Sequence, residues 1–311
     1  MDHFWSIYRE YGYEAVKNQP VQTAVEAFYL AILAFGEQNI QGAWRHTRQA
    51  LAYDPTHPVF IQAALYLERV LRTGKPSVYA TGEGFLAFIR GGGNIPLYES
   101  VSAALQSVYQ EDDNLRVLDI GVGDGRALLP ALTPNIARLD LLEPSAPMLA
   151  SLCRQLDRQN IAYQAICRPV QQFILTQTGT WDLVQATFSL QSLPPEERLA
   201  IFTWVHKHGS RLIMVEFDLP EFTEVYAPDR VEYILNRYEK GLAEYPDDEI
   251  VAQGFLLPVM FGYFDRSQAR TNYEQPLHTW VEECRAAGFL TIRTRRLYEY
   301  WWAPAYLLDA V

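Results

Sequence analysis

The stretch Val117-Leu118-Asp119-Ile120-Gly121-Val122-Gly123-Asp124-Gly125 constrains this chain more than any other. A short apolar strand runs directly into a turn with glycine at alternate positions. Glycine there permits backbone angles that other residues rarely adopt, and it lets a ligand approach the main chain closely. Glu143 follows Gly121 by 22 residues, at the end of the next apolar run. A carboxylate in that place can accept both hydroxyls of a ribose, so the pair implies an adenosine-containing ligand.

Two cofactor classes share such a turn. A dinucleotide fingerprint needs Gly or Ala three residues after Gly123, so that the helix packs on the strand and seats a pyrophosphate. This chain has Arg126 there. Its spacing is GxGxG, and Asp119 precedes the turn inside the strand. A carboxylate beside the turn repels a pyrophosphate and attracts an ammonium. The ligand that fits is zwitterionic with an adenosine end, and a nicotinamide-dependent oxidoreductase is the rival reading.

Around this turn, short apolar runs alternate with helical patterns. Strands are expected at Leu115–Ile120, Ala137–Leu142, Ile161–Ile166, Trp181–Ala186 and Arg211–Phe217. Helices are expected at Leu97–Tyr109, Ala146–Leu156, Val170–Thr176 and Pro195–His208. Alternation with continuous apolar strands means a parallel sheet covered on both faces. The rhythm breaks after Phe217. An acidic, tyrosine-rich stretch, Leu219 to Gln275, precedes a helix from Leu277 to Ala287. Two closing extended segments, Leu290–Tyr298 and Trp301–Leu308, lie too close for a helical crossover and should pair antiparallel.

Before the sheet the chain reads as helix alone, at Val21–Phe35, Ala43–Ala52 and Val59–Leu71. Ala31, Ala34, Ala43, Ala50 and Pro55 resemble a single tetratricopeptide unit. The expected division is a helical module over residues 1–78 and an α/β domain over 79–311, with an insertion at 219–275. The helical module offers a surface that could form a homodimer, dock a partner or close the pocket.

Composition narrows the partners. The chain of 311 residues is 49% hydrophobic and 20% charged, with a net charge of −11. Residues 216 to 250 hold eleven acids and three bases. A nucleic-acid binder needs a basic stripe to neutralise phosphates, and none is present. The longest apolar run, Phe28 to Phe35, is too short to span a bilayer. Three scattered cysteines show no metal-ligand spacing, so no metal is expected and a reducing cytoplasm is the plain reading.

With VLDIGVGDG, LDLLEPS, WDLVQATFSLQSL and RLIMVEFD in place, residues 82–311 resemble the class I S-adenosylmethionine-dependent methyltransferases. The resemblance implies a Rossmann-like seven-stranded sheet whose last strand runs antiparallel. It implies S-adenosylmethionine as cofactor, S-adenosylhomocysteine as product, and a small-molecule or peptide-like acceptor. By position, Gly121, Gly123 and Gly125 would line the cofactor and Asp119 would organise its amino-acid end. Glu143 with Pro144 would hold the ribose, Met148 would pack on adenine, and Gln185 would sit near the methionine moiety. Members often carry an Asp after the third strand to hold the adenine amino group. This chain has Pro169 there, leaving Gln171, Gln172 or a backbone carbonyl for that contact.

In the same family the segment before the first strand often folds over the cofactor, so Tyr98 and Arg90 could meet its carboxylate. Phe188 and Gln191 follow the fourth strand at the edge where open-sheet ligands bind. Tyr226, Tyr233 and Tyr263 lie in the acidic insertion, which in the family commonly forms a lid over the acceptor. Tyr98, Gln191 and Glu216 are the candidate catalytic groups. His206, His208 and His278 suit structural places, while His46 or His57 could reach in from the helical module. The scarcity of a histidine base favours O-methylation of a carboxylate or hydroxyl, ahead of N- or C-methylation. A non-catalytic adapter is the remaining alternative.

Overall fold

Phe28 to Phe35 is buried on every side. It forms the centre of helix Ala24–Gly36, whose first turn is capped by the Thr23 side chain. A helix apolar all round must be wrapped by others. Helices Ile40–Tyr53 and Pro58–Thr73 pack with it in sequence, the former capped by Asn39 and the latter opened by its proline. Further cover comes from the late acidic stretch, which is helical at Pro228–Ala243, Glu249–Val251 and Leu257–Gly262, with a π-helical turn at Ala252–Leu256. Phe35 lies on Phe261 with ring centroids 4.6 Å apart, and Tyr29 donates to the Tyr226 carbonyl at 2.8 Å. A side chain on Gly36 would stand 2.0 Å from the Tyr226 hydroxyl, so only glycine permits this approach.

The computed structural model describes residues 1–74 and 82–311. The chain divides into two compact units, Met1–Ile95 with Phe222–Ala269 and Pro96–Glu221 with Arg270–Val311. The boundary expected at residue 78 lies outside the described residues. The likeness to a tetratricopeptide unit finds no support. A solenoid repeat keeps a face for the next repeat, whereas the central helix here is covered within its own unit by residues from far along the chain. No helix among the described residues is long and apolar enough to cross a membrane.

The second unit carries a seven-stranded sheet in the order β3-β2-β1-β4-β5-β7-β6. The strands are β1 (Leu115–Ile120), β2 (Ile136–Leu142), β3 (Gln164–Ile166), β4 (Leu183–Thr187), β5 (Leu212–Phe217), β6 (Ile292–Glu299) and β7 (Pro304–Ala310). The pairs among β1 to β5 are parallel, and β7 runs antiparallel to both β5 and β6. This is the Rossmann-like sheet with an antiparallel last strand that the sequence implies. Central strands β4 and β5 are buried almost throughout, which is why they read as unbroken apolar runs. The outermost strands differ: β3 is only three residues long, and β6 carries Arg293, Arg295 and Arg296, features that discourage edge pairing.

Several boundaries shift from the sequence reading, the last strand among them, which starts at Pro304 rather than Trp301. The third strand starts at Gln164 rather than Ile161. Trp181 makes only an isolated bridge to Gly209, and β4 begins at Leu183. The helix expected at Val170–Thr176 is a single turn, Val170–Phe173.

Candidate functional site

The turn after β1 is built on three left-handed glycines, with φ of 71° at Gly121, 60° at Gly123 and 79° at Gly125. A Cβ on Gly121 would lie 2.4 Å from the Ser189 Cβ, and one on Gly125 would lie 2.3 Å from a Leu152 methyl. Gly123 is different: the nearest atom to a Cβ there is the Met148 Cε at 3.9 Å, so its outer side is open. Glu143 closes the turn from the end of β2. Its Oε2 accepts the Gly123 N–H at 2.9 Å and its Oε1 accepts the Ser145 N–H at 2.8 Å. The next residue, Pro144, is exposed, and Met148 is half-buried.

Asp119 and Gln185 are direct partners across β1 and β4. The Gln185 amide donates to Asp119 Oδ2 at 2.6 Å, and its oxygen accepts the Tyr109 hydroxyl at 2.5 Å. A tyrosine hydroxyl on the amide oxygen leaves the amide nitrogen to face the carboxylate. Burial pushes the Asp119 carboxyl up to about 7, the nearby Glu143 carboxylate adds to this, and the Gln185 hydrogen bond opposes it. Gln185 is wholly buried, so its position beside the turn acts through Asp119. Tyr109 shows in the sequence only as a core-facing helix residue, and nothing there marks its partner.

A second polar group sits at the carboxyl end of β5. Glu216 is 1% exposed, and its Oε1 accepts the Leu190 N–H at 3.2 Å. Its Oε2 is buried with no hydrogen-bond partner, as are Gln191 Oε1 and Thr187 Oγ1. Burial, and next the Glu274 carboxylate, hold Glu216 well above the usual carboxyl range; the Gln191 and Leu190 N–H groups and Arg198 pull the other way. Arg198 is itself buried and anchors this corner. It binds Glu283 through two nitrogens, at 2.9 and 2.6 Å, and Gln275 Oε1 at 2.6 Å. Its guanidinium lies 4.3 Å from the Trp280 ring centroid.

The loop after β4 joins these groups to the glycine turn. Ser189 donates to the Ile120 carbonyl at 2.8 Å. Phe188 packs edge-on against Tyr98 at 6.0 Å, and Arg126 lies over the Tyr98 ring at 5.8 Å while pairing with Asp124 at 3.4 Å. Burial raises the Tyr98 hydroxyl to about 12, so it remains a donor at neutral pH.

The other expected residues have the following surroundings. Arg90 is exposed and belongs to the first unit, as do Tyr226, Tyr233 and Tyr263. Tyr226, expected to face the acceptor, is wholly buried there, and its hydroxyl donates to the Phe264 carbonyl at 2.9 Å. Tyr233 packs on Phe222 at 5.4 Å, and Tyr263 is half-buried. Buried His46 meets the Tyr13 hydroxyl at 3.0 Å, and His57 stacks on Phe60. His206 packs on Phe289, and His208 on Trp204. Pro169 precedes a helical turn, and the Gln171 amide is engaged by Glu197 at 2.7 Å. Among the described residues no group of three or more His, Cys, Asp or Glu side chains could hold a metal ion.

Residues 117–209 match the family model described as a methyltransferase domain. No curated protein sequence matches the chain. Among solved structures, magnesium protoporphyrin IX methyltransferase from Synechocystis PCC 6803, with bound S-adenosylhomocysteine, shares 16% identity at a TM-score of 0.50, covering 78% of this chain and 99% of that one. A structure described as a putative O-methyltransferase from Nostoc punctiforme PCC 73102 shares 14% identity at a TM-score of 0.46, covering 92% of this chain and 71% of that one.

Proposed function

We propose that this chain, a class I S-adenosylmethionine-dependent methyltransferase, methylates an oxygen of a small-molecule or peptide-like acceptor, either a carboxylate or a hydroxyl. The observation that carries the reading is Glu216: a buried carboxyl at the carboxyl end of β5, with one oxygen bound by the main chain and the other unspent.

The residues of the turn suit the cofactor. Asp119 has a neutral amide as its hydrogen-bond partner and can take up an ammonium. Each oxygen of Glu143 already accepts one main-chain N–H and keeps a lone pair for a ribose hydroxyl. Gly123 leaves its outer side clear, and Met148 and Pro144 stand beside it for the adenine. The bound cofactor supplies an electrophilic methyl carbon on a sulfonium. The chain's own part is to align the acceptor and exclude water, because methyl transfer disperses charge and rests on positioning.

Glu216 would serve an oxygen acceptor in one of two ways. With the Leu190 N–H on Oε1, the proton of the neutral acid resides on Oε2. That O–H can donate to an acceptor carboxylate and hold it in line, and no base is then required. For a hydroxyl acceptor, the same carboxyl must first release its proton to solvent and then take the one the acceptor gives up. Gln191 and Tyr98 would complete the polar lining.

Incubation with methyl-labelled S-adenosylmethionine and a panel of carboxylic acids, phenols and amines tests the reading. Label should appear as base-labile esters or base-stable ethers. Label found only on nitrogen or carbon, or on no acceptor, would overturn it. Glu216→Gln keeps a donor but cannot exchange a proton, so it should spare carboxylate methylation and abolish hydroxyl methylation.

A further inference from the structure

A row of aromatic rings crosses the carboxyl edge of the sheet. It begins at the glycine turn with Tyr98, against which Phe188 packs. Phe188 stacks on Phe217 at 4.6 Å with 20° between the planes, and Phe217 stacks on Tyr300 at 5.5 Å and 17°. Phe217 and Tyr300 are buried, while Phe188 is half-buried, so Phe188 is the most exposed member of this nearly parallel series.

That member is held in an unusual backbone. Phe188 has φ of 49°, and its N–H is fixed by the Val215 carbonyl at 2.9 Å. A bulky residue in the left-handed region is destabilising and persists only where the surroundings enforce it. Glycine would adopt the same angle freely, yet the chain carries a ring there. Strain of this kind points to a use for the side chain itself. The following residue, Ser189, touches the Gly121 turn, so the ring stands next to the residues proposed for the cofactor.

We infer that Phe188 is the face on which a planar aromatic acceptor stacks, extending the Phe188–Phe217–Tyr300 series, and that the acceptor class is an aromatic ring bearing the oxygen to be methylated. The inference rests on the methyl-transfer reading above. Nearly parallel, offset rings gain from their quadrupoles beyond the area they bury. A saturated acceptor of the same outline would keep the area and lose that contact. Leu190, two residues after Phe188 in the same loop, donates its N–H to Glu216, which ties the carboxyl proposed for the oxygen substituent to this loop.

The test uses full-length protein saturated with S-adenosylhomocysteine and reads binding rather than turnover. The probes are 6-hydroxy-2-naphthoate and its fully saturated counterpart, followed by calorimetry and by proton NMR of the probe. The aromatic probe should bind about tenfold tighter, with its ring protons shifted upfield by the Phe188 ring. Phe188→Leu should erase the preference while holding S-adenosylhomocysteine as wild type does, which also verifies its folding. Equal binding of the two probes, binding of neither, or an unchanged preference in Phe188→Leu would overturn the inference. If the oxygen-transfer reading alone is wrong, the stacking preference persists and no oxygen becomes labelled.

Discussion

Asp119 is buried beside a neutral amide and near a second carboxylate, and its carboxyl is raised to about 7. The groups that face it are Gln185 from β4, Glu143 from β2 and, through Gln185, Tyr109 from helix Asn94–Tyr109. An arriving ammonium favours the ionised form, so binding of S-adenosylhomocysteine below about pH 7 should release a proton, and affinity should climb with pH up to that point. The sign for folding is opposite: in the unliganded protein, stability should fall as pH rises from the ordinary Asp range towards 7, because the folded state binds the extra proton. Calorimetry in buffers of differing ionisation enthalpy counts the proton, and Asp119→Asn should abolish the release. Tyr109→Phe frees the amide to turn and should move the pH midpoint of binding. Asp119 and Glu143 were legible from spacing alone, since strand and turn geometry bring them together. Tyr109 was not, because its partner Gln185 is 76 positions away and helical periodicity says only that a residue faces inward.

The glycine turn joins two requirements that usually separate, a left-handed backbone and the absence of a side chain. At Gly125 the added methyl of an alanine meets Leu152, and the φ of 79° is strained for it as well. Gly125→Ala should therefore lower the unfolding midpoint and weaken S-adenosylhomocysteine together, as thermal melts with and without ligand would show. Arg198 fastens helix Pro195–His208 to helix Leu277–Ala286 through Glu283. Removing one member of a buried ion pair costs about 3–5 kcal/mol, so Arg198→Leu should cost that much in denaturant melts. Glu283→Gln, which keeps a hydrogen-bonding oxygen, should cost less. Most strands could be found from the sequence because their burial on both faces leaves continuous apolar runs. The start of β3 could not, since an exposed edge strand lacks that signature. Nor could the ring series, whose members Phe188, Phe217 and Tyr300 come from three separate parts of the chain.

Every group that forms the candidate site belongs to the unit of Pro96–Glu221 and Arg270–Val311. With two cores in the chain, scanning calorimetry should resolve two transitions, and S-adenosylhomocysteine should raise the one belonging to that unit. At a hundredfold excess over Kd the gain should be about 2.7 kcal/mol; equal shifts of both transitions would contradict this assignment. The late stretch reads as acidic and tyrosine-rich, and Tyr226, Tyr233 and Tyr263 were expected to face an acceptor. Several instead complete the helical unit, because a tyrosine's ring can fill a core while its hydroxyl finds a carbonyl, as Tyr226 does. The same joining of distant segments governs how the chain is made. The ribosome adds about 5–20 residues per second, so on the order of ten seconds pass between the emergence of Ile95 and that of Phe222. Throughout that interval Phe35 and Tyr66 wait for Phe261, and Tyr29 waits for Tyr226. Synthesis halted in between would release a helical stub with its apolar side bare, a fragment suited to capture by a chaperone or to aggregation.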